Sequence, residues 1–327
     1  MKSTKFLFII ITAVVVASFS VVRSQSVTIK QIWEGRNYAS FTSMADYEGY
    51  LYCAFREANS HADISGQDKG VIRIIKSRKG KKWELFTTYS LPGQDLRDPK
   101  LAVSPDGRLM LLTEAVVYNN GETLSRQTHV GFINKEGECS KLQPIIIDPK
   151  MTYNWLWDFC WGEKDGYGFT YIPSFSLLQT EDGVNYKVKY HKAFEDKATE
   201  TSIAVSSDHK LYAFIRNENS SHFGVSTENT CDIWDWYPME KLGCPKLFFD
   251  GQDLYLVAKR YSPSPKTVLY EVDVKDYSFN EIASLPSARD FSYPGIVKRG
   301  RFFYVSYYLG DGVKSSIYLA IIKCNKK

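Results

Sequence analysis

Arginines, carboxylates and tyrosines recur at matching places along this 327-residue chain. They are Arg56 and Glu57; Arg97, Asp98 and Glu114; Trp157 and Asp158; Glu200 and Arg216; Lys246 and Arg260; and Tyr293, Tyr307 and Tyr308. One charged residue at the end of a strand is commonly just solvated. Six sets at one relative position point instead to a shared pocket. Guanidinium groups converging there suit a carboxylate or a sulfate, which they hold by paired, planar hydrogen bonds. Interleaved Trp155, Trp157, Tyr293 and Tyr308 suit the apolar faces of a sugar ring, and some of these rings also serve as packing.

What places the sets together is a pattern that occurs six times: a hydrophobic run, a tight turn and a second hydrophobic run. The second runs are YEGYLYCAFREA, PDGRLMLLTEAV, KDGYGFTYIPS, SDHKLYAFIRNE, FDGQDLYLVAKRY and KRGRFFYVSYYL. From Gly49 to Gly300 the period is about 50 residues. Repeats of that length, rich in aromatic and β-branched residues, predict an all-β fold: a six-bladed β-propeller with one four-stranded sheet per blade. The first runs open as NYASFTSM, DLRDPKLAV, WLWDFCWG, TETSIAVS, GCPKLFF and FSYPGIV. In an antiparallel hairpin the start of the first strand and the end of the second share one end of the sheet. Like blades would therefore gather all six sets on one face, around one axis.

Residues 1–24 read as a signal peptide, with a basic start, an apolar run from Phe6 to Val22 and small residues near Ser24. The expectation is a single propeller domain over 25–327 in a secreted or periplasmic monomer. No cysteine precedes Cys53, so no lipid-anchoring cysteine is present at the cleavage point, and no stable membrane insertion is expected. Lys2, Lys5 and Arg23 leave with the leader, and the formal net charge falls from +4 to about +1. That balance gives no electrostatic footprint for nucleic acid. Neither C-x-x-C pairs nor H-E-x-x-H occur, and there is no phosphate loop, dinucleotide fingerprint or G-x-S-x-G elbow, so neither a metal nor a cofactor is called for. Cys231 and Cys244 could bridge in an oxidising compartment.

The residues resemble the bacterial sialidase (neuraminidase) superfamily, and within it a branch of secreted sialidase-like proteins. The likeness runs over nearly all of the mature chain, most clearly in CAFREANSH, DLRDPKLAVSPDGRLML, LGCPKL, ARDFSYPGIVKRGRFFYVSYY and SSIYLAIIK. It implies a retaining exo-glycosidase that removes a terminal sialic acid or another acidic sugar from glycans, with a tyrosine nucleophile. By that resemblance Tyr293 is the nucleophile and Glu200 the carboxylate that activates it. Arg216 and Arg260 match arginines of the substrate-binding triad, and Arg56 lines the same pocket. The acid/base aspartate would be Asp63 or Asp68, in the loop HADISGQDKG beside His61. Further pocket residues are Arg97, Asp98, Trp157, Asp158, Lys246 and Tyr308. The chain departs from the pattern at Ala39, where the first triad arginine would stand. Its S-x-D-x-G-x-x-W turns survive only as the stretches Lys76 to Trp83 and Gln179 to Tyr186. Two other readings compete: a binding propeller with the same pocket and no turnover, and a five-bladed glycosidase using Asp98, Asp158 and Glu200 alone.

Overall fold

The computed structural model describes residues 26–34, 37–227 and 230–324, and the expected leader lies outside them. Among the described residues the chain is strand and turn, with no helix. The strands are β1 (Val27–Trp33), β2 (Tyr38–Tyr47), β3 (Tyr50–Ala58), β4 (Val71–Ser77), β5 (Glu84–Tyr89), β6 (Asp95–Val103), β7 (Leu109–Asn119), β8 (Glu122–Ile133) and β9 (Gln143–Pro144). Next come β10 (Ile146–Asp148), β11 (Leu156–Trp161), β12 (Gly166–Thr170), β13 (Ser176–Thr180), β14 (Asn185–His191), β15 (Ala198–Val205), β16 (Leu211–Asn217), β17 (Ser221–Ser226) and β18 (Trp234–Met239). The last are β19 (Leu242–Asp250), β20 (Asp253–Arg260), β21 (Lys266–Val272), β22 (Phe279–Leu285), β23 (Asp290–Arg299), β24 (Phe302–Gly310) and β25 (Ser315–Lys323).

The strands make antiparallel meanders around an axis, a β-propeller. Four sheets are β6-β7-β8-β9, β11-β12-β13-β14 with β10 added in parallel, β15-β16-β17-β18 and β19-β20-β21-β22. The fifth is eight-stranded and consists of two meanders, β2-β3-β4-β5 and β23-β24-β25, with β1 pairing antiparallel to β25. A single parallel pairing, Tyr38 with Ser315, joins the two. The N-terminal strand thus completes the last meander and ties the two ends of the ring. The repeat pattern alone does not reveal that closure.

Burial follows distance from the axis. Strand β7 is buried along most of its length, whereas the outer strand β14 alternates exposed and covered positions. A strand buried on both faces reads as a continuous hydrophobic run, and a half-buried one alternates. Apolar clusters fill the seams between neighbouring meanders. One joins Ala54 and Ile72 to Leu96 and Leu111, and another joins Cys53 and Phe55 to Val297 and Leu319 across the two halves of the eight-stranded sheet. The turns Glu48-Gly49 and Asn120-Gly121 have positive φ at both residues, the geometry of a tight two-residue hairpin.

Candidate active site

One local irregularity positions the chemistry. Each of β2, β6, β11, β15, β19 and β23 loses register with its partner near its start. The shifts fall between Ser40 and Ser43, Arg97 and Lys100, Leu156 and Asp158, Ala198 and Thr201, Gly243 and Lys246, and Ser292 and Gly295. A bulge of this kind kinks the strand and re-aims a side chain. The residues so displaced include Phe41, Asp98, Trp157, Glu200, Cys244 and Tyr293. Four of them have positive φ: Phe41 (58°), Asp98 (46°), Cys244 (51°) and Tyr293 (50°). Such backbone costs roughly 1–3 kcal/mol per residue and persists only where packing over-determines it. Proline follows three of them, at Pro99, Pro245 and Pro294, where a broken ladder has no need of its missing N–H.

The displaced side chains meet around Tyr293. Its hydroxyl donates to Glu200 Oε1 at 2.6 Å. Arg216 Nη1 lies 2.7 Å from the same oxygen, and the Cys244 backbone N–H donates to Glu200 Oε2 at 2.7 Å. The Phe41 ring is edge-on to Tyr293 at 4.8 Å, and Trp157 lies 5.7 Å away. Burial pushes the Tyr293 phenol well above its usual value, and Glu200 adds to this, so the phenol is neutral until its proton is taken. Burial raises the Asp98 carboxyl as well, against the pull of Lys100 and Arg97. Burial lowers the Lys100 ammonium, whose Nζ sits 4.5 Å over the Trp157 ring.

Beneath this ring of residues, Lys246 Nζ bonds both oxygens of Asp158 at 2.8 and 2.9 Å, and the Ser202 hydroxyl donates to Asp158 Oδ2 at 2.5 Å. Farther along the same opening strands lies an apolar cavity of about 360 Å³, lined by residues such as Met44, Leu101, Ile203, Leu247 and Ile296. It is separate from the Tyr293 cluster, with the Asp158–Lys246 pair between them.

Some of the buried polar atoms without a protein hydrogen-bond partner belong to this region, among them Asp98 Oδ1, Glu114 Oε2, Trp157 Nε1 and Arg216 Nε. Glu114 shows the electrostatic cost. Burial, with Asp98 adding to it, pushes its carboxyl well above its ordinary 4.5, although the Thr128 hydroxyl donates to Oε1 at 2.5 Å. The folded protein holds this proton more tightly than the unfolded chain does. Its contribution to stability is therefore full below pH 4.5 and is lost as pH rises through the raised value. Glu114→Gln keeps the acceptor for Thr128 and cannot ionise. Urea unfolding should show it gaining on the wild type between pH 5 and pH 8.5; parallel pH curves would count against a buried, protonated Glu114.

Several other residues singled out in the sequence are held by partners of their own, although Tyr308 lies 6.1 Å from the Tyr293 ring. Arg56 is fully buried and spent on structure: Nε and Nη2 donate to Asp95 Oδ1 at 3.0 and 2.9 Å, and Nη1 donates to the Ser60 carbonyl. Arg97 shares Asp95 at 3.2 Å, donates to the His61 carbonyl and lies over the Phe41 ring. Arg260 does not join Arg216. Its Nη1 reaches Glu281 on β22 at 2.6 Å, and the next residue, Tyr261, just past the end of β20, is the one close enough to Arg216 and Glu200 to feel their charges. Asp63 is half-buried and accepts from the Ser65 hydroxyl and from the N–H groups of Ser65, Gln67 and Asp68. Those bonds hold its carboxyl below the usual range. Asp68 accepts from the Asn59 N–H and amide and from the Ser60 N–H. Both carboxylates therefore staple their own loop. His61 instead meets the Tyr38 hydroxyl at 2.9 Å, and Tyr308 donates to Asp290 at 2.7 Å. Cys231 and Cys244 are free thiols: Cys244 sits beside Glu200, and Cys231 packs with Trp234 and Trp236.

Sequence reasoning missed Asp95, Asp290, Tyr38 and Lys100. Asp95 opens β6 two residues before Arg97, and a buried arginine pair needs such a counter-charge. Nothing local marks Asp290 or Tyr38, which meet across the ring closure.

The β-propeller fold is shared with solved structures of sialidases and of an arabinanase. A protein of unknown function from Dyadobacter fermentans DSM 18053 is 17% identical with a TM-score of 0.72, covering 91% of this chain and 99% of that one. Trypanosoma rangeli sialidase, in complex with the inhibitor DANA, is 9% identical with a TM-score of 0.67. That match covers 90% of this chain and only 59% of the sialidase. Penicillium chrysogenum alpha-L-arabinanase, complexed with arabinobiose, is 11% identical with a TM-score of 0.63, covering 91% and 98%. No protein-family model matches the chain, and no curated protein matches it.

Proposed function

We propose that this chain is a six-bladed propeller, with the eight-stranded sheet counted as two blades, that hydrolyses glycosidic bonds of a terminal acidic sugar with retention. The observation that carries the reading is the Tyr293 hydroxyl 2.6 Å from Glu200, with Arg216 2.7 Å from the same carboxylate oxygen. Glu200 takes the phenolic proton as the Tyr293 oxygen attacks the anomeric carbon. A neutral phenol approaches a sugar that carries a carboxylate on that carbon without the repulsion an anionic nucleophile would meet. The strained bulges fix Tyr293, Asp98 and Phe41 before substrate arrives, so little reorganisation is left for the reaction itself. The buried indoles of Trp155 and Trp157 lie beside Tyr293 and suit the apolar face of a sugar ring.

Only Arg216 of the expected arginines faces Tyr293. Ala39 supplies no charge, and Arg260 is held by Glu281. The grip on a sialic acid carboxylate is correspondingly weak, since one charged hydrogen bond contributes about 1.5–3 kcal/mol. The same observation favours the second reading, a propeller that binds carbohydrate in the same pocket without cleaving it. A panel of 4-methylumbelliferyl glycosides separates the two: α-sialoside, β-glucuronide and α-L-arabinofuranoside, with product anomers read by proton NMR. Cleavage of an acidic member with retention is expected. Binding with no cleavage assigns the lectin-like reading, and inversion removes the tyrosine nucleophile.

A further inference from the structure

If Tyr293 is the nucleophile, a second group must serve the leaving oxygen and then the attacking water. Both loop aspartates are occupied in shaping their own turn, and Asp63 is held ionised by the bonds it accepts. His61, from the same loop, is directed differently. Its Nδ1 lies 2.9 Å from the Tyr38 hydroxyl and 3.5 Å from Asp290 Oδ2. Tyr38 donates to Asp290 Oδ2, and Tyr308 donates to Asp290 Oδ1 at 2.7 Å. Because the Tyr38 proton goes to Asp290, its lone pair faces His61, which sets Nδ1 as the donor and leaves Nε2 as the free, basic nitrogen. The half-exposed imidazole is edge-on to Phe41 at 5.2 Å, and Phe41 is edge-on to Tyr293 at 4.8 Å. His61 and the nucleophile therefore both pack edge-on against one ring, that of Phe41.

We propose that His61, oriented by the Tyr38–Asp290 pair, is the group that transfers protons to the leaving oxygen and from the incoming water. This rests on the reading of Tyr293 as nucleophile. In the first step the Tyr293 oxygen bonds to the anomeric carbon and its proton passes to Glu200. The glycosidic C–O bond breaks with its electron pair on the leaving oxygen, which takes the Nε2 proton of the imidazolium. In the second step neutral Nε2 takes a proton from water as the water oxygen bonds to the anomeric carbon. The Tyr293 oxygen departs and recovers its proton from Glu200. Tyr38 and Asp290 are positioning residues in this scheme.

The charged and titratable groups around His61 are Tyr38 of β2, Arg56 of β3, Asp95 and Arg97 of β6, and Asp290 of β23, which Tyr308 of β24 bonds in turn. Burial first, then Arg97 and Arg56, push the imidazole down to about 4. Cleavage of a substrate with a poor leaving group should therefore fall as pH rises above about 4, while a substrate with a good leaving group shows no such dependence.

The test compares methyl and 4-methylumbelliferyl α-sialosides, or the same pair of whichever sugar the panel identifies. In His61→Ala and His61→Asn, kcat/KM for the methyl glycoside should drop by about 10²–10⁴-fold, and for the umbelliferyl glycoside by less than tenfold. Azide, a nucleophile that needs no base, should restore turnover of the umbelliferyl glycoside and yield the glycosyl azide. Asp63→Asn and Asp68→Asn should treat the two substrates alike. Tyr38→Phe should give a smaller, leaving-group-dependent loss with an altered pH profile. Equal losses on both substrates in the His61 variants, or a leaving-group-dependent loss in either aspartate variant, would overturn the assignment while leaving Tyr293 in place. No turnover by the wild type on any substrate removes both readings together.

Discussion

Tyr293→Phe should lose turnover by about 10⁴–10⁶-fold, the scale seen when one member of a cooperating nucleophile–base unit is removed. The ring stays, so its edge contact with Phe41 and its packing near Trp157 are kept. Glu200 retains Arg216 and the Cys244 N–H, so its charge is not stranded. The variant should therefore stay folded and bind glycan with affinity within a few-fold of the wild type. Glu200→Gln should fall to a similar level, and the double variant should be little worse than either, because the two residues act as one unit. Wild-type rates in Tyr293→Phe, measured on the best substrate of the panel, would exclude the tyrosine mechanism.

The largest expected effect on stability is at Asp95. Its carboxylate receives Arg56 Nε and Nη2, Arg97 Nη1 and the Gly70 N–H, all within 2.9–3.2 Å. Arg56 is fully buried and Arg97 is 6% exposed. Gly70 is required by the same cluster, since a Cβ there would stand 2.3 Å from Asp95 Oδ1 and 2.4 Å from Arg56 Nε. Asp95→Asn keeps the shape and removes the charge, leaving the buried Arg56 without its bonded counter-ion and Arg97 with Asp98 as its nearby carboxylate. Breaking a buried pair in this way costs about 3–5 kcal/mol, which should appear as a melting temperature lower by on the order of 10 °C. Equilibrium urea unfolding measures the loss directly. A change below about 1 kcal/mol would mean that water or neighbouring carboxylates already compensate the arginines.

Much of the strand order was legible because each hairpin carries its own signal, two hydrophobic runs around a Gly or Asp turn. Strand β1 was not, since VTIKQIW finds its partner Ser315–Lys323 only when the chain ends meet. At the site, motif matching put Tyr293, Glu200 and Arg216 on one list, and they share one carboxylate. The same matching misplaced Arg260, whose guanidinium is taken by Glu281, while its neighbour Tyr261, just past the end of β20, is the one near Arg216 and Glu200. Asp63 and Asp68 carried the right residue type, but a sequence does not say how many N–H groups a loop will aim at a carboxylate. The bulges left only a faint mark, a proline after Asp98, Cys244 and Tyr293, whose meaning depends on the broken ladder beside them. Asp290 and Tyr38 are 252 positions apart, and only the closed ring brings them into contact.

The central claim is that Tyr293 becomes covalently glycosylated, and the most direct test is to trap that species. The protein is incubated with a fluorinated glycosyl fluoride of the sugar that the panel identifies, digested, and mapped by mass spectrometry. A retaining enzyme accumulates the glycosyl adduct when fluorine slows its release. The predicted result is a single adduct on the peptide containing Phe291, Ser292 and Tyr293, absent in Tyr293→Phe. An adduct on Asp98, Asp158 or Glu200 instead, or steady turnover with no adduct at all, would contradict the account.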